Sequence, residues 1–194
     1  MKTQKMNIAK LTALFLLSIV SLMACKQQGT KSEQKETKQS IEAPKMDLHA
    51  ATFMGNIEAV KQHIKIGSDL NVTEPMGGST PLISASLFGK SKIAILLIEA
   101  DADVNLTNND GSTALHTAAF FGRTEIVKAL LTHGADKSIK NKSGSTALES
   151  VAAPFANVKG IYDFFGKELG PMGLKLNYEE LEKTRPVIAE ILKQ

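Results

Sequence analysis

Cysteine is almost absent from this sequence: Cys25 is the only one in 194 residues. That excludes an internal disulfide framework and any cysteine-rich zinc site. Aromatic side chains are few, with no Trp, 2 Tyr and 8 Phe, which argues against a base-stacking platform. No apolar run reaches the roughly 18 residues of a membrane-spanning helix. A surplus of one charge is missing too, once the formal net +3 is divided along the chain. Lys2, Lys5 and Lys10 account for all of it, because residues 1–24 hold no acid and the remainder balances at 20 basic and 20 acidic residues. From Asp47 onward there are 15 basic and 17 acidic residues. The basic stripe that would neutralise phosphates is therefore lacking, and nucleic acid is not an expected partner. What is present is an ordinary hydrophobic content of 43%, enough for one domain with a continuous core and a tail.

The first segment reads as an address. Its three lysines precede an almost wholly apolar run from Leu11 to Ala24, the two parts of a secretory signal. Leu22-Met23-Ala24-Cys25 then resembles the lipobox of bacterial lipoprotein signal peptides, with Leu three before the Cys and a small residue just before it. Met23 is a less usual, though apolar, choice. The resemblance implies cleavage after Ala24, diacylglyceryl modification of Cys25 and acylation of the new amino terminus. Several acyl chains anchor stably where one would not. Lys26 is not the Asp that retains some lipoproteins at the inner membrane, so the expected location is the outer membrane of a bacterial envelope, facing periplasm or exterior. The plain alternative is an ordinary signal followed by a stray Cys. Residues 25–45 then form an expected tether, since Ile41 is their only large apolar side chain and such a segment buries too little to order itself. As a coil it reaches roughly 25 Å.

The remainder is periodic. Gly78-Ser79-Thr80-Pro81-Leu82, Gly111-Ser112-Thr113-Ala114-Leu115 and Gly144-Ser145-Thr146-Ala147-Leu148 recur every 33 residues, and Gly89 and Gly122 share that interval. Ile93, Leu96 and Leu97 in one unit, and Ile126, Val127, Leu130 and Leu131 in the next, fall at helical spacing. A fixed period of this size means stacked units, none of which buries its apolar face alone.

On these residues the chain resembles the ankyrin-repeat family from Met46 to Phe165, in units of about 46–73, 74–106, 107–139 and 140–165. The resemblance implies an all-α solenoid of about four helix-turn-helix units joined by short β-like fingers, curved into a slab. Each repeated position has a local reason. Thr80, Thr113 and Thr146 suit the N-cap of a unit's first helix, Pro81 its first turn, and Gly55, Gly89 and Gly122 the left-handed residue that ends it. Asp101 stands where the neighbouring units carry Gly67 and Gly134, and a left-handed backbone would strain it. The first unit is atypical, with Asp47 at the Pro position. In the fourth, Glu149 takes the His place, Pro154 cuts in and Phe155 replaces the Gly, as in a terminal unit. Gly166, Gly170, Pro171 and Gly173 mark a loop. Residues 166–194 are expected to form a helical cap, with Tyr178 to Leu192 as one helix broken at Pro186 or as two short ones. Its stripe of Leu181, Val187, Ile188, Ile191 and Leu192 covers the last repeat in this reading; the other use for such a stripe is partner binding.

Catalytic and metal-binding patterns do not emerge. His49 and His116 occupy the Leu-His place of their units, where the family resemblance implies an imidazole that ties adjacent loops. His63 and His133 have no His, Cys or carboxylate at ligand spacing. No cofactor or metal is expected, and the protein is not expected to be an enzyme. Function is expected instead where ankyrin proteins vary. The finger candidates are Met76, Asn109, Asp110 and Lys142. The helix-end pairs are Phe53-Met54, Leu87-Phe88 and Phe120-Phe121, all apolar and at sites that often face the concave surface. One member of each pair could equally be core. The reading is a monomeric, lipid-anchored module that presents its concave face to a protein partner. Two alternatives stay open: a receptor for a small ligand or surface polymer on the same concavity, and an enzyme using Tyr162, Asp163, Glu168 or Tyr178.

Overall fold

The computed structural model describes residues 44–194. The lipobox, Cys25 and nearly all of the tether lie outside them. Nine helices are formed among the described residues: α1 (Leu48–Met54), α2 (Ile57–Lys65), α3 (Pro81–Leu87), α4 (Ser91–Glu99), α5 (Ala114–Phe120), α6 (Thr124–Thr132), α7 (Ala147–Ala152), α8 (Phe155–Leu169) and α9 (Tyr178–Lys193). No strand is formed there; Thr107 pairs with Thr113 in an isolated antiparallel bridge.

The expected starts and stops are visible in the hydrogen bonds. Thr80, Thr113 and Thr146 accept the N–H of Ile83, His116 and Glu149 at the starts of α3, α5 and α7. In α5 and α7 the bond is returned, because His116 and Glu149 accept the N–H of their capping threonine, closing a reciprocal box. Asp47 departs from its expected place: it is the N-cap of α1, accepting Ala50 N–H at 2.8 Å, rather than the first helical residue that Pro81 is in α3. A carboxylate at the positive end of a helix is favourable, so the first unit starts one residue later than its neighbours.

The helices lie in two layers. α1, α3, α5 and α7 pack side by side in one, and α2, α4 and α6 in the other. Ala51, Ala85 and Ala118, each 0% exposed, let the first layer close up. Between the layers run Val60, Ile93, Leu97, Ile126, Val127 and Leu130. Deep burial of these branched side chains stabilises by roughly 1.5–3 kcal/mol each, and every unit depends on its neighbour for half of that cover.

The C-terminal region is organised differently from the expected unit 140–165 followed by a separate cap. The boundary at 165/166 falls inside α8. α7 ends at Ala153, which is extended before Pro154, and α8 does not enter the second layer. That place is taken by the back half of α9, which packs mainly on α7 and also on α6. Ile126, Val127 and Leu130 of α6 correspond to Ile188, Ala189 and Leu192, each 62 residues on, and all six are buried. Arg123, just before α6, corresponds in the same register to Arg185. Pro186 corresponds in this register to Thr124, which opens α6, but it stands inside α9, where its missing N–H removes one bond of the helical ladder. α9 is a single helix through Pro186 because residues 178–185 supply turns ahead of that point. The fourth unit is thus complete, with α8 and the following loop inserted between its two helices.

Candidate binding face

The helix-end residues form an aromatic file along one side of the first helix layer. Phe53 meets Phe88 edge-on, with ring centroids 4.9 Å apart. Phe120 and Phe121 meet at 5.1 Å. Edge-to-face contacts of this kind add to the burial of the rings themselves.

The file is not uniformly open, which corrects the expectation of three matching apolar pairs. Phe121 is 5% exposed and joins Tyr162, Leu174 and Leu181 in a second core, with Leu87, Phe88, Phe120, Phe155 and Phe165 packed around it. α8 is what covers it. Tyr162 stacks on Phe120 at 4.6 Å and Phe165 meets Phe121 edge-on at 5.4 Å. Phe121 is therefore core, and Leu87, Phe88 and Phe120 are partly covered. Phe53 and Met54, 37% and 68% exposed, are left open at the first unit. α8 adds exposed apolar residues of its own, Ile161 and Phe164, which sequence reasoning did not single out. Their three-residue spacing behind the inward side of buried Tyr162 and partly buried Val158 and Phe165 was the available signal.

The finger candidates divide between scaffold and surface. Met76 is almost fully exposed, and Asn109, Asp110 and Lys142 are exposed. Their backbones tie the fingers together: Asn109 N–H donates to Gly77 O at 2.8 Å, and Lys142 N–H to Asp110 O at 2.9 Å. The Asn109 amide adds a bond to Met76 O at 3.4 Å. Glu74 holds the first of these turns. Its carboxylate accepts N–H from Met76, Gly77 and Ser79. Burial works against that charge, but the three amides outweigh it and hold the carboxyl below its ordinary range.

The imidazoles are accounted for by the backbone. His49 Nε2 lies 3.1 Å from Val72 O, and His116 Nε2 lies 3.0 Å from Ser145 O, each bridging to the next finger. Thr113 N–H points at His116 Nδ1, so the ring is neutral with its proton on Nε2. Burial, chiefly, holds its pKa below the ordinary value. His63 lies between Ser68 Oγ and Met46 O, and His133 reaches Ala129 O.

Of the residues named for a C-terminal enzyme site, Tyr162 is turned inward, whereas Asp163 and Tyr178 meet on the surface, where the Asp163 carboxylate raises the Tyr178 phenol. Tyr162 is fully buried, donates its hydroxyl to Phe120 O and receives Arg185 Nη1 at 2.6 Å. Burial pushes its phenol up, against the pull of Arg185. Asp163, next to it on α8, instead pairs outward with Lys159 at 2.9 Å, the contact that lowers its carboxyl. Glu168 is exposed and carries no hydrogen bond to either. The buried Tyr162 phenol is thus tied to a carbonyl, apart from the exposed group of Lys159, Asp163 and Tyr178.

Comparison with known proteins agrees with this geometry. The family profile described as ankyrin repeats (3 copies) matches residues 48–154. Human protein phosphatase 1 regulatory subunit 27 is 42% identical over 63 residues, which are 32% of this chain and 40% of that protein; the chain thus spans well under half of that relative. The crystal structure of the ankyrin repeat domain of Bcl-3, a member of the IkappaB protein family, superposes with a TM-score of 0.51 at 33% identity, covering 53% of this chain and 45% of that one. With stacked helix pairs, finger-tying histidines and a profile match over more than half its length, the chain belongs to the ankyrin-repeat family.

Proposed function

We propose that this protein is a lipid-anchored interaction module of a bacterial cell envelope, and that it binds a protein partner on the open part of its concave face. Ankyrin-repeat domains are protein–protein interaction modules, and one relative is by name a regulatory subunit of another protein. The observation that carries the reading is the contrast along the aromatic file. α8 covers Phe120 and Phe121 but leaves Phe53 and Met54 open, with the Lys90 side chain beside the adjoining Gly55. Apolar anchors within a polar rim have the layout of an interface, and stacked repeats hold them rigid before binding. The anchor rests on Leu22-Met23-Ala24-Cys25.

The test replaces Phe53 and Met54 by Ser, checks the fold by circular dichroism and compares affinity capture from solubilised envelopes with the parent protein. Loss of a captured protein with the fold retained supports the reading. Capture unchanged by the double substitution contradicts the assigned face. Phe88→Ser with Phe121→Ser is the poorer probe, because Phe121 is core.

A further inference from the structure

The turn that ends each first-layer helix places one residue directly after the left-handed glycine: Asn56, Lys90 and Arg123 in the first three units. Two of the three are cations, both half-buried. Lys90 lies across the turn of the preceding unit, its Nζ 3.5 Å from where a Cβ on Gly55 would stand. Arg123 lies across Gly89 in the same way, with its Nη2 donating to Leu87 O at 3.3 Å. Its Nη1 has no partner among the described residues and, unlike the orphaned Nε, is not closed off from solvent. Burial lowers the pKa of this guanidinium. Among the described residues no carboxylate lies within ion-pair distance of either cation. A partly desolvated cation without an anion carries a cost that a carboxylate from outside removes.

These two cations border the aromatic file. Lys90 reaches the residue after Met54, Arg123 reaches the residue after Phe88, and Phe53 and Phe88 are themselves in edge-on contact. The helices that form this face, α1, α3 and α5, contain no Asp, Glu, Lys or Arg. Three residues beyond the glycines stand Glu58, Lys92 and Glu125. Glu58 is taken by Lys61 at 3.2 Å, and Lys92 balances Glu125, so the surplus charge of these turns is that of Lys90 and Arg123. The finger acids stand at the other end of the first-layer helices, about 10 Å away, and Glu74 among them is already held by three backbone amides. We propose that this face selects a protein segment of acidic and apolar chemistry, whose carboxylate side chain meets Lys90 and Arg123 and whose bulky apolar neighbour lies against Phe53 and Met54. A basic segment is repelled, and a wholly apolar one leaves the cations covered and unpaired. The inference rests on the Phe53–Met54 face being the partner site and adds the kind of partner it takes.

The test selects from a displayed library of random peptides of about twelve residues against the full chain. The expected peptides are enriched in Asp and Glu next to Leu, Phe or Trp, against the depletion of acids at an ordinary interface core. Synthetic copies should bind at least about tenfold more weakly to the Lys90→Glu, Arg123→Glu double variant, and likewise to the Phe53→Ser, Met54→Ser variant, with the fold of each checked by circular dichroism. Peptides without acid enrichment that only the serine pair releases overturn this inference and leave the proposed face standing. Acid-rich peptides that charge reversal releases but the serine pair does not overturn both. A library that yields no enriched peptide overturns the inference as well; sedimentation of the parent chain, but not the charge-reversed one, with phosphatidylglycerol vesicles then assigns the cations to an anionic lipid surface. If Arg123→Glu impairs folding, Lys90→Glu alone and the salt dependence decide: affinity should fall between about 50 and about 300 mM NaCl, and salt-independent binding unaffected by Lys90→Glu overturns the proposal.

Discussion

Single residues show how closely repeat position dictates backbone. Asp101 has φ 61°, beside 71° and 81° at Gly67 and Gly134 in the neighbouring units. It is the only non-glycine residue in the left-handed region among those described. Asp101→Gly should raise stability by up to about 1 kcal/mol, since relief of that strain outweighs the extra freedom gained by the unfolded chain; a lower melting temperature would contradict this. His116 makes a second test. Its pKa is lowered in the fold, mainly by burial, so the unfolded chain takes up the proton first. Its contribution to stability is whole above the ordinary value of about 6.5 and is lost as pH falls through the lower folded value. The melting temperature should therefore drop between pH 7 and 5, and His116→Gln should flatten that drop. At Tyr162 the hydroxyl serves both Phe120 O and Arg185. Tyr162→Phe should cost about 1–3 kcal/mol by leaving buried groups unpaired. Asp101 was legible from the sequence because the constraint is local. Tyr162 was not, because its partners stand 42 and 23 residues away.

At the scale of elements, legibility follows the same division. The starts of α1, α3, α5 and α7 are set by side chains three residues from the groups they cap, and those positions repeat visibly. The fate of Phe120 and Phe121 is set by α8, and an apolar pair reads alike whether it faces solvent or a helix from farther along the chain. The second helix of the fourth unit was hidden for a related reason. Its motif survives as Arg185, Ile188, Ala189 and Leu192, but the insertion displaces it from the 33-residue period. This register is open to measurement by chemical denaturation. Ile188→Ala, at 0% exposure, should cost about 2–5 kcal/mol. Val187→Ala, at 52% exposure, should change stability by no more than about 0.5 kcal/mol. Equal effects would mean that α9 is not seated as a second-layer helix.

For the whole molecule, the insertion has a functional consequence. Repeat proteins ordinarily offer a continuous face along the stack, whereas here α8 occupies the third unit's share and, of the helix-end pairs, leaves Phe53 and Met54 the most open. The proposed anchor is tested by fractionation: Cys25→Ala should abolish incorporation of a labelled fatty acid and move the chain out of the membrane fraction, and unchanged labelling would contradict the lipobox reading. The central claim concerns the open face, and site-specific photocrosslinking addresses it most directly. A photoreactive residue placed at Met54 should yield a discrete protein adduct in intact cells, while the same residue at Lys128, exposed on α6 of the second layer, should yield none. Adducts at Lys128 but not at Met54 would contradict the account.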